Sequence, residues 1–427
     1  MSFPVRKHRL IIVWLIICLI ASGCWIGSDY GTTADPLERP THGIGKPSSD
    51  EVTAETTILT PVPSSPLQNH GIFAATEEPS AEHPPREVLG FYTEAEGAYP
   101  GSESVVEEQH RLISSIAPFW YRLDDQRPGY FVATLPAEER KRVIQQAHEK
   151  NIHVYLLVHN LFYDTLNKGR DVARRILRNP KTRSRFIRNI IREVETYGFD
   201  GINLDIENLH PSDRHAFSQL VKQVSEHLHQ EGKLVTVSVP ANTGDERANI
   251  WSHPFDYRSL GRYADRIVLM TYDEHNPRTA PGPVASYDWT ESTIRYALSQ
   301  KVPPEKILVG IAAYGWNWSE AGGKAKYTSY PEVANYLRRY DVQPVWDDQA
   351  RASRFRYRDD AGFMHDVWYE NSQSLQAKLQ LLETYNLGGI GVWRLGLEDP
   401  GIWKVIPDNI RVKKFAQDES QPNKKAG

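Results

Sequence analysis

Cysteine and methionine are scarce in this chain of 427 residues, which contains two of the first and three of the second. Both cysteines, Cys18 and Cys24, lie near the amino terminus, so the rest of the chain has no thiol for a disulfide or a metal site. An excess of either charge is also missing, because 50 basic and 54 acidic residues leave a formal net charge of −4. We therefore expect neither a metal nor a cofactor, and no nucleic-acid partner.

The amino terminus contains an apolar run, Leu10–Ile20, that follows a short basic segment. This run is too short to span a bilayer comfortably and has the layout of an export signal. The residues that follow it, Ile20-Ala21-Ser22-Gly23-Cys24, resemble the bacterial lipobox, in which the cysteine is lipidated. We expect residues 1–23 to be a lipoprotein signal peptide and Cys24 to anchor the exported protein to a membrane of the cell or spore envelope. An uncleaved membrane anchor is the alternative.

Composition divides the remaining chain into three parts. Residues 24–85 are rich in Pro, Thr, Ser and Glu and lack sustained periodicity, which predicts a disordered tether. Residues 86–412 have the length of one αβ-barrel rather than two ordinary domains. Residues 413–427 form a polar tail that we expect to be disordered. We expect the whole chain to be a monomer.

The segment Phe199–Glu207 alternates apolar and polar residues and ends in two carboxylic acids. In a β-strand this period directs Asn203, Asp205 and Glu207 to one face. Burying unpaired carboxylates against an ordinary core costs several kcal/mol, so the acidic face should line a cleft. A strand whose acids pair with neighbouring arginines or lysines is the alternative.

Apolar, β-branched or aromatic runs recur eight times between residues 86 and 412, and most of the gaps carry a helical pattern. The runs are Val88–Tyr92, Ile113–Trp120, His153–Val158, Gly201–Glu207, Leu234–Val239, Arg266–Tyr272, Ile307–Tyr314 and Gly389–Trp393. This alternation predicts the α/β class and a closed (β/α)8 TIM barrel. The long seventh gap, at about residues 318–370, predicts a small α+β insertion with a β-hairpin, which would form one wall of the cleft.

The acidic strand and three later segments resemble glycoside hydrolase family 18, the chitinases and their relatives. Asp200-Gly201-Ile202-Asn203-Leu204-Asp205-Ile206-Glu207 is similar to the signature DGxDxDxE of that family. The other matches, in the family's order, are Met270-Thr271-Tyr272-Asp273, Ala313-Tyr314-Gly315-Trp316 and Trp393. Together they cover nearly the whole barrel.

Within the family, the resemblance is greatest to bacterial spore-cortex-lytic N-acetylglucosaminidases, on the segments 118–121, 156–160, 365–368 and 391–396. Asn203 replaces the middle Asp of the usual signature, and His159-Asn160 stands where typical chitinases have SxGG. The resemblance implies hydrolysis of β-1,4 bonds after N-acetylglucosamine in peptidoglycan or spore cortex. A chitinase, or a glycan-binding barrel without activity, is the alternative; binding-only members usually lack the acid that Glu207 supplies here.

The resemblance also implies a retaining mechanism in which the N-acetyl oxygen of the substrate attacks the anomeric carbon. Glu207 would protonate the leaving oxygen, with a pKa raised by burial and by Asp205. Asp205 would orient the acetamido group and stabilise the oxazolinium ion. Tyr272 would donate its hydroxyl to the acetamido oxygen, and Asp273 would bind the distorted sugar. Without the family, Tyr272 and Asp273 indicate only a strand end before a capped helix.

Further sugar contacts are expected from two amide residues and from aromatic residues at other strand ends. They are Asn203, Asn160, Trp393, Tyr92, Trp120 and Trp316. Trp393 would lie flat under the sugar at the cleaved bond, while for the other aromatic residues packing in the core is the alternative. We also expect Asn203 to donate its amide to Asp205 and so keep that carboxylate ionised.

Overall fold

A computed structural model describes residues 84–162, 165–244 and 251–415 of the chain. The predicted signal peptide, the predicted lipid attachment at Cys24 and the tether as far as residue 83 lie outside the described residues. Among the residues described, no helix has the length and apolar character needed to cross a membrane.

The strands of the described chain are β1 Glu87–Tyr92, β2 Ser115–Pro118, β3 Tyr121–Leu123, β4 Phe131–Ala133, β5 His153–His159, β6 Gly201–Asp205, β7 Leu234–Pro240, β8 Arg266–Met270, β9 Ile307–Ala312, β10 Tyr314–Ser319, β11 Lys326–Ser329, β12 Val345–Asp347, β13 Ala352–Arg358, β14 Met364–Tyr369 and β15 Gly389–Trp393. The α-helices are α1 Glu103–Gln109, α2 Ala137–Glu149, α3 Leu166–Leu177, α4 Pro180–Tyr197, α5 Arg214–Leu228, α6 Tyr257–Tyr263, α7 Tyr287–Ser299, α8 Tyr330–Arg339, α9 Ser372–Tyr385 and α10 Ile402–Asn409. Short 3₁₀ turns cover His110–Leu112, Pro211–Asp213, His229–Glu231 and Pro304–Lys306.

Eight parallel strands close into a barrel in the order β2, β1, β15, β9, β8, β7, β6 and β5, with β5 pairing back onto β2. Helices connect successive barrel strands, and the β3–β4 hairpin lies between β2 and α2. Each of the eight strands predicted from the sequence is present, which confirms the (β/α)8 barrel. The eight parallel strands bring their carboxyl ends to the same face of the barrel.

The period of two along each strand divides the core into an outer and an inner part. Alternate residues such as Val154, Leu156 and Val158 of β5 pack in the large outer cluster with helix residues. Their neighbours fill the barrel interior, in a cluster of Leu89, Phe91, Ala117, Tyr155, Leu157, Val268 and Leu308. The floor of this interior is polar: buried Glu87 accepts hydrogen bonds from Ser115, Tyr155 and Arg266, which offset the cost of burying its charge.

The entry into β6 is fixed by a helix stop and by one carboxylate. Asn179 caps the start of α4, and its side chain accepts the backbone N–H of Lys181. Gly198 caps the end of α4 with a φ of 74°, which favours glycine. Two residues later, Asp200 Oδ2 accepts the backbone N–H of Val154 at 2.7 Å. Asp200 therefore ties the start of β6 to β5 and points away from the face that carries Asp205.

The insertion between β9 and β15 forms a separate antiparallel sheet in the order β11, β10, β14, β13 and β12. The predicted hairpin is present as β13 and β14, which pair from Arg358 with Met364 back to Ser353 with Tyr369. One face of this sheet packs against α8 through Phe355, Val367 and other residues. The insertion begins at β10, slightly before the predicted boundary at about residue 318, because β10 pairs with insertion strands only.

Candidate active site

The carboxyl ends of β6 and β8 bring the predicted acids together. Asp205 is the last residue of β6, and Glu207 follows two residues later; both are buried. Tyr272 and Asp273 lie just beyond β8 and are also buried. No lysine or arginine of the described chain forms an ion pair with Asp205 or Glu207, so the alternative of an ion-paired strand is not met.

Glu207 has the environment of a carboxylic acid rather than a carboxylate. Its Oε2 is buried and has no hydrogen-bond partner in the described structure. Burial, and then the neighbouring charges of Asp205 and Asp273, raise the pKa of Glu207 well above its ordinary value. A side chain in this setting can hold a proton at neutral pH and deliver it to a substrate oxygen.

Asn203 is fully buried, and its amide points across the sheet to β7 rather than to Asp205. Its Nδ2 donates to Thr236 Oγ1 at 2.8 Å, and its Oδ1 accepts from Ser238 Oγ at 3.1 Å. The predicted hydrogen bond to Asp205 is therefore wrong, because the register of β6 and β7 sets Asn203 beside Thr236. The predicted contact of Asn203 with sugar stays a prediction.

Burial opposes the ionised state that was predicted for Asp205, and that state stays a prediction. Burial raises the pKa of Asp205 to about 7, against a hydrogen bond from Ser238 that lowers it. The Ser238 hydroxyl has a single proton and also lies within reach of Asn203. Asp205 and Glu207 therefore form a buried pair of carboxyl groups whose pKa values are both raised by burial.

Asp273 is held by two donors from the first strand of the insertion. Its Oδ1 accepts from the Tyr314 hydroxyl at 2.6 Å and from Trp316 Nε1 at 2.9 Å. Burial raises the pKa of Asp273 to about 6, although both hydrogen bonds act to lower it. Trp316 is only 1% exposed, and the stacking of its ring on sugar stays a prediction. The ring of Tyr272 meets Tyr314 edge-on, with 6.4 Å between centroids.

Two further predicted stacking residues lie in the core. Trp120 has no exposed surface, and its Nε1 donates to Glu94 Oε1 at 2.7 Å. Tyr92 is 3% exposed and meets the Trp120 ring edge-on. Both rings pack in the core of the described structure, and sugar stacking at Tyr92 and Trp120 stays a prediction.

Phe119, which the sequence reasoning missed, occupies the position that Trp120 was expected to fill. Phe119 and Trp393 are partly exposed and both pack on the interior cluster of the barrel. Their rings meet edge-on at 5.4 Å, and Phe119 stacks flat on His159 at 3.9 Å. Burial, and then Arg122, lower the pKa of His159 to about 3, so this supporting ring is neutral. Adjacent residues point in opposite directions near a strand end, a signal that could have identified Phe119 once Trp120 was assigned to the core.

The side-chain amide of Asn160 bonds to the backbone of Glu207. Its Oδ1 accepts the Glu207 N–H, and its Nδ2 donates to the Glu207 carbonyl, each at 2.8 Å. The next residue, Asn208, accepts from Arg170 of α3 through its carbonyl and its side chain. A Cβ at Gly169 would lie 2.0 Å from the Asn160 carbonyl oxygen, so only glycine allows α3 this close.

Among the residues described, no group of histidine, cysteine, aspartate and glutamate side chains is arranged to hold a metal ion. The site consists of a buried acid with an unpaired oxygen, two further buried carboxyl groups and a partly exposed aromatic pair.

Known proteins are similar to this chain in sequence and in fold. The sequence model of Glycosyl hydrolases family 18 matches residues 172–398. The chain belongs to this family. The matched region includes Asp205, Glu207, Asp273 and Trp393, whereas Phe119 and Asn160 precede it. The family 18 assignment confirms that the protein is a glycoside hydrolase, as the signature strand predicted.

Curated relatives of this family 18 protein come from spore-forming bacteria among other organisms. The Uncharacterized glycosylase YvbX of Bacillus subtilis is 29% identical over 331 residues, which cover 75% of this chain and 94% of the relative. The Cortical fragment-lytic enzyme of Bacillus subtilis is 32% identical over 325 residues, which cover 74% of each chain.

Solved structures resemble the family 18 protein over most of its length. The Bacillus cereus spore cortex-lytic enzyme SleL superposes with a TM-score of 0.71 at 26% identity, covering 79% of this chain and 77% of that chain. The chitinase from Chromobacterium violaceum superposes with a TM-score of 0.68 at 30% identity, covering 76% and 98%.

Proposed function

We propose that this protein hydrolyses β-1,4 bonds that follow N-acetylglucosamine in peptidoglycan, with spore cortex as the preferred polymer. The observation that carries the proposal is the buried, unpaired Oε2 of Glu207 at the carboxyl end of β6. It is joined by the similarity to cortical fragment-lytic enzymes over about three quarters of the chain.

The first step transfers the Glu207 proton to the glycosidic oxygen as its bond to the anomeric carbon breaks. The oxygen of the substrate's own acetamido group bonds to the same carbon from the opposite side and forms an oxazolinium ion. Water then opens this ring after giving a proton to Glu207, and the product keeps its anomeric configuration. Asp205 in its charged form stabilises the cation, and Tyr272 and Asp273 bind the acetamido group and the distorted ring.

The state of the other carboxyl groups supports an internal nucleophile. Asp273 already accepts two hydrogen bonds on Oδ1, and its backbone φ of 62° fixes its position. Asp205 is buried beside Glu207, and its pKa of about 7 makes it a weak candidate for a permanently charged nucleophile. A mechanism that uses the acetamido oxygen needs neither of them to attack.

The partly exposed rings of Trp393 and Phe119 supply apolar faces for successive sugars of a β-1,4 chain. A chitooligosaccharide hydrolase is the second candidate, favoured by the superposition on almost all of a chitinase chain. A glycan-binding barrel without activity is disfavoured, because Glu207 is present and free to donate a proton.

We further propose that the protein is exported and attached to a membrane through lipid on Cys24, and that it acts as a monomer. The proposed export and lipid attachment rest on the sequence around Cys24 alone. Metabolic labelling with a fatty acid should mark the wild type, whereas Cys24→Ala should be unlabelled and leave the membrane fraction. Equal labelling of both proteins would contradict lipidation at Cys24.

The central experiment compares wild type with Glu207→Gln on purified cortex, vegetative cell wall and chitin oligomers, measuring new reducing ends. Glu207→Gln should lose about 10²–10⁴-fold in rate on every active substrate. Glu195→Gln, the same change at an exposed site on α4, is the matched control and should behave as wild type. A Glu207→Gln variant as fast as wild type would disprove the assignment, and an inverted first product would disprove the acetamido mechanism. The preferred polymer identifies the substrate.

A further inference from the structure

Alternate residues of β10, β14 and β13 form one continuous face of the insertion sheet. Trp316 pairs with Trp368, and Trp368 pairs with Arg354 on the next strand. The adjacent row runs from Trp318 through Asp366 to Arg356. We call this surface the cleft face of the insertion; it consists of Trp316, Trp318, Trp368, Asp366, Arg354 and Arg356.

Two contacts show that this surface looks toward the active site. Trp316 Nε1 donates to Asp273 at 2.9 Å, and Trp318 Nε1 donates to the carbonyl of Thr279, in the loop that follows Asp273. The opposite face of the sheet is covered by α8. Strands lie about 4.8 Å apart, so the Arg354 backbone is about 10 Å from that of Trp316, within reach of a sugar beside the cleaved one.

The two arginines of the cleft face have donors to spare. The guanidinium of Arg354 makes no hydrogen bond to any described residue. The nearest carboxylate oxygen, on Asp347, is 3.8 Å away. Its Nε is buried without a partner, and its guanidinium lies 5.1 Å from the centroid of the Trp368 ring. Arg356 makes one long hydrogen bond, 3.4 Å to Glu320, and approaches Asp366 only to 3.6 Å.

A structural arginine of the same protein is different. Arg140 donates to the Leu135 carbonyl, to Glu193 and to the hydroxyls of Tyr121 and Tyr197, so its guanidinium is saturated. Buried guanidinium donors are normally paired in this way. The side chains of Arg354 and Arg356 are 39% and 53% exposed, so their unused donors face solvent, where a ligand can reach them.

We propose that Arg354 and Arg356 bind a carboxylate carried by the glycan, so that the cleft face selects acidic glycans over neutral ones. A guanidinium fork matches a carboxylate with two parallel hydrogen bonds. The carboxylate belongs to the lactyl group of an N-acetylmuramic acid that carries no peptide, or to the peptide of one that does. The nearby Asp366 Oδ1, which is buried without a partner, can accept an amide or hydroxyl hydrogen from the same sugar unit. The inference rests on the proposed function and names the substrate class for the same cleft.

The test compares one peptidoglycan preparation before and after chemical amidation of its carboxylates, with a neutral chitooligosaccharide as the third substrate. Wild type should lose about 30-fold in kcat/KM on amidation, mainly through KM. The double variant Arg354→Gln/Arg356→Gln should lose the same factor on the untreated glycan. On the amidated glycan and the chitooligosaccharide it should stay within about twofold of wild type. Arg338→Gln/Arg339→Gln removes two charges from α8, on the other side of the insertion, and should match wild type throughout.

Enzymatic removal of the peptides, which leaves the lactyl carboxylate, identifies the source of the charge. If wild type still outperforms the double variant on the peptide-free glycan, the carboxylate belongs to the sugar. If the two proteins are then equally fast, the carboxylate belongs to the peptide. Equal losses by the double variant on all substrates, or wild type cutting untreated and amidated glycan equally well, would overturn the inference. The wild-type comparison needs no variant to fold. If wild type cuts the chitooligosaccharide but no peptidoglycan, the proposed function itself has failed.

Discussion

The side-chain amide of Asn160 bonds to both backbone polar groups of Glu207, at 2.8 Å each. Glu207 lies beyond the end of β6, where hydrogen bonds between neighbouring strands no longer fix the chain. Asn160 supplies the equivalent of one more pair of strand bonds from the adjacent β5 side. The direction of Glu207 therefore depends on Asn160, whose amide nitrogen and oxygen both bond to the Glu207 backbone.

Asn160→Ala should lower kcat about 10- to 100-fold with KM changed by less than about twofold, because the acid loses its position while the sugar contacts remain. Steady-state kinetics on a soluble glycan measure kcat and KM separately. Asn160→Asp keeps the acceptor and should retain more activity than the alanine variant. A rise in KM with unchanged kcat would instead make Asn160 a sugar contact.

Replacing Asn203 by Asp should move the pH optimum upward. The new carboxyl group would be buried beside Asp205, and any negative charge on it raises the pKa of both Asp205 and Glu207. On the acid side, Asp205 becomes protonated at a higher pH than in wild type, so activity that requires its charge is lost at a higher pH. On the alkaline side, Glu207 keeps its proton to a higher pH, so activity persists further. The pH dependence of kcat/KM measures both limbs. An unchanged profile for Asn203→Asp would contradict electrostatic coupling between these side chains.

Asp205→Asn should abolish most activity and yet stabilise the protein above neutral pH. The pKa of Asp205 is raised in the folded state to about 7, so the folded protein binds a proton that the unfolded chain has released. The stability that this bound proton contributes is fully present below the pKa of Asp205 in the unfolded chain, about 4. It is lost as the pH rises from there through about 7. At pH 8 the variant should gain about 1–2 kcal/mol in the free energy of unfolding.

Urea denaturation at pH 5 and pH 8 tests this prediction, and the gain should be larger at pH 8. Asp171→Asn, on the outer part of α3, is a control that should show no such pH dependence. A variant less stable than wild type at pH 8 would show that the Ser238 hydrogen bond outweighs the cost of burying the charge.

Phe119→Ala should raise KM for long glycans about tenfold with a smaller effect on kcat, because one sugar loses its apolar platform. Trp120→Phe, at the adjacent position, should lower stability through the lost bond to Glu94 and leave KM unchanged. Kinetics and thermal denaturation of both variants separate the two roles. A larger KM effect for Trp120→Phe than for Phe119→Ala would reverse the assignment made from the structure.

The barrel and the identity of the two acids could be predicted because both depend on period-two patterns within single strands. The partners of those acids could not be predicted in the same way. Asn203 bonds to Thr236 and Ser238 because of the register between β6 and β7, which neither strand specifies alone. The exposure of Phe119 and the burial of Trp120 depend on how the chain leaves β2 after Pro118. The alternation of side chains along a strand does not by itself say which of the two residues is buried there.

The aromatic residues near strand ends illustrate a further limit. Trp316 stands where a sugar platform was expected, but it is 1% exposed within the insertion sheet, and its indole N–H donates to Asp273. Composition indicates that such rings are present near a cleft. Only the packing of a second sheet decides which of them keep a free face.

Tyr314 and Trp316 belong to β10, so these two hydrogen-bond donors to Asp273 come from the insertion and not from the barrel. Excising residues 314–370 to obtain a smaller enzyme would therefore remove two hydrogen bonds from a buried carboxyl group and leave the reaction centre incomplete. Swapping this segment between relatives should succeed only when the Tyr-Gly-Trp triplet travels with it. For protein engineering, the insertion is an inseparable part of the catalytic unit.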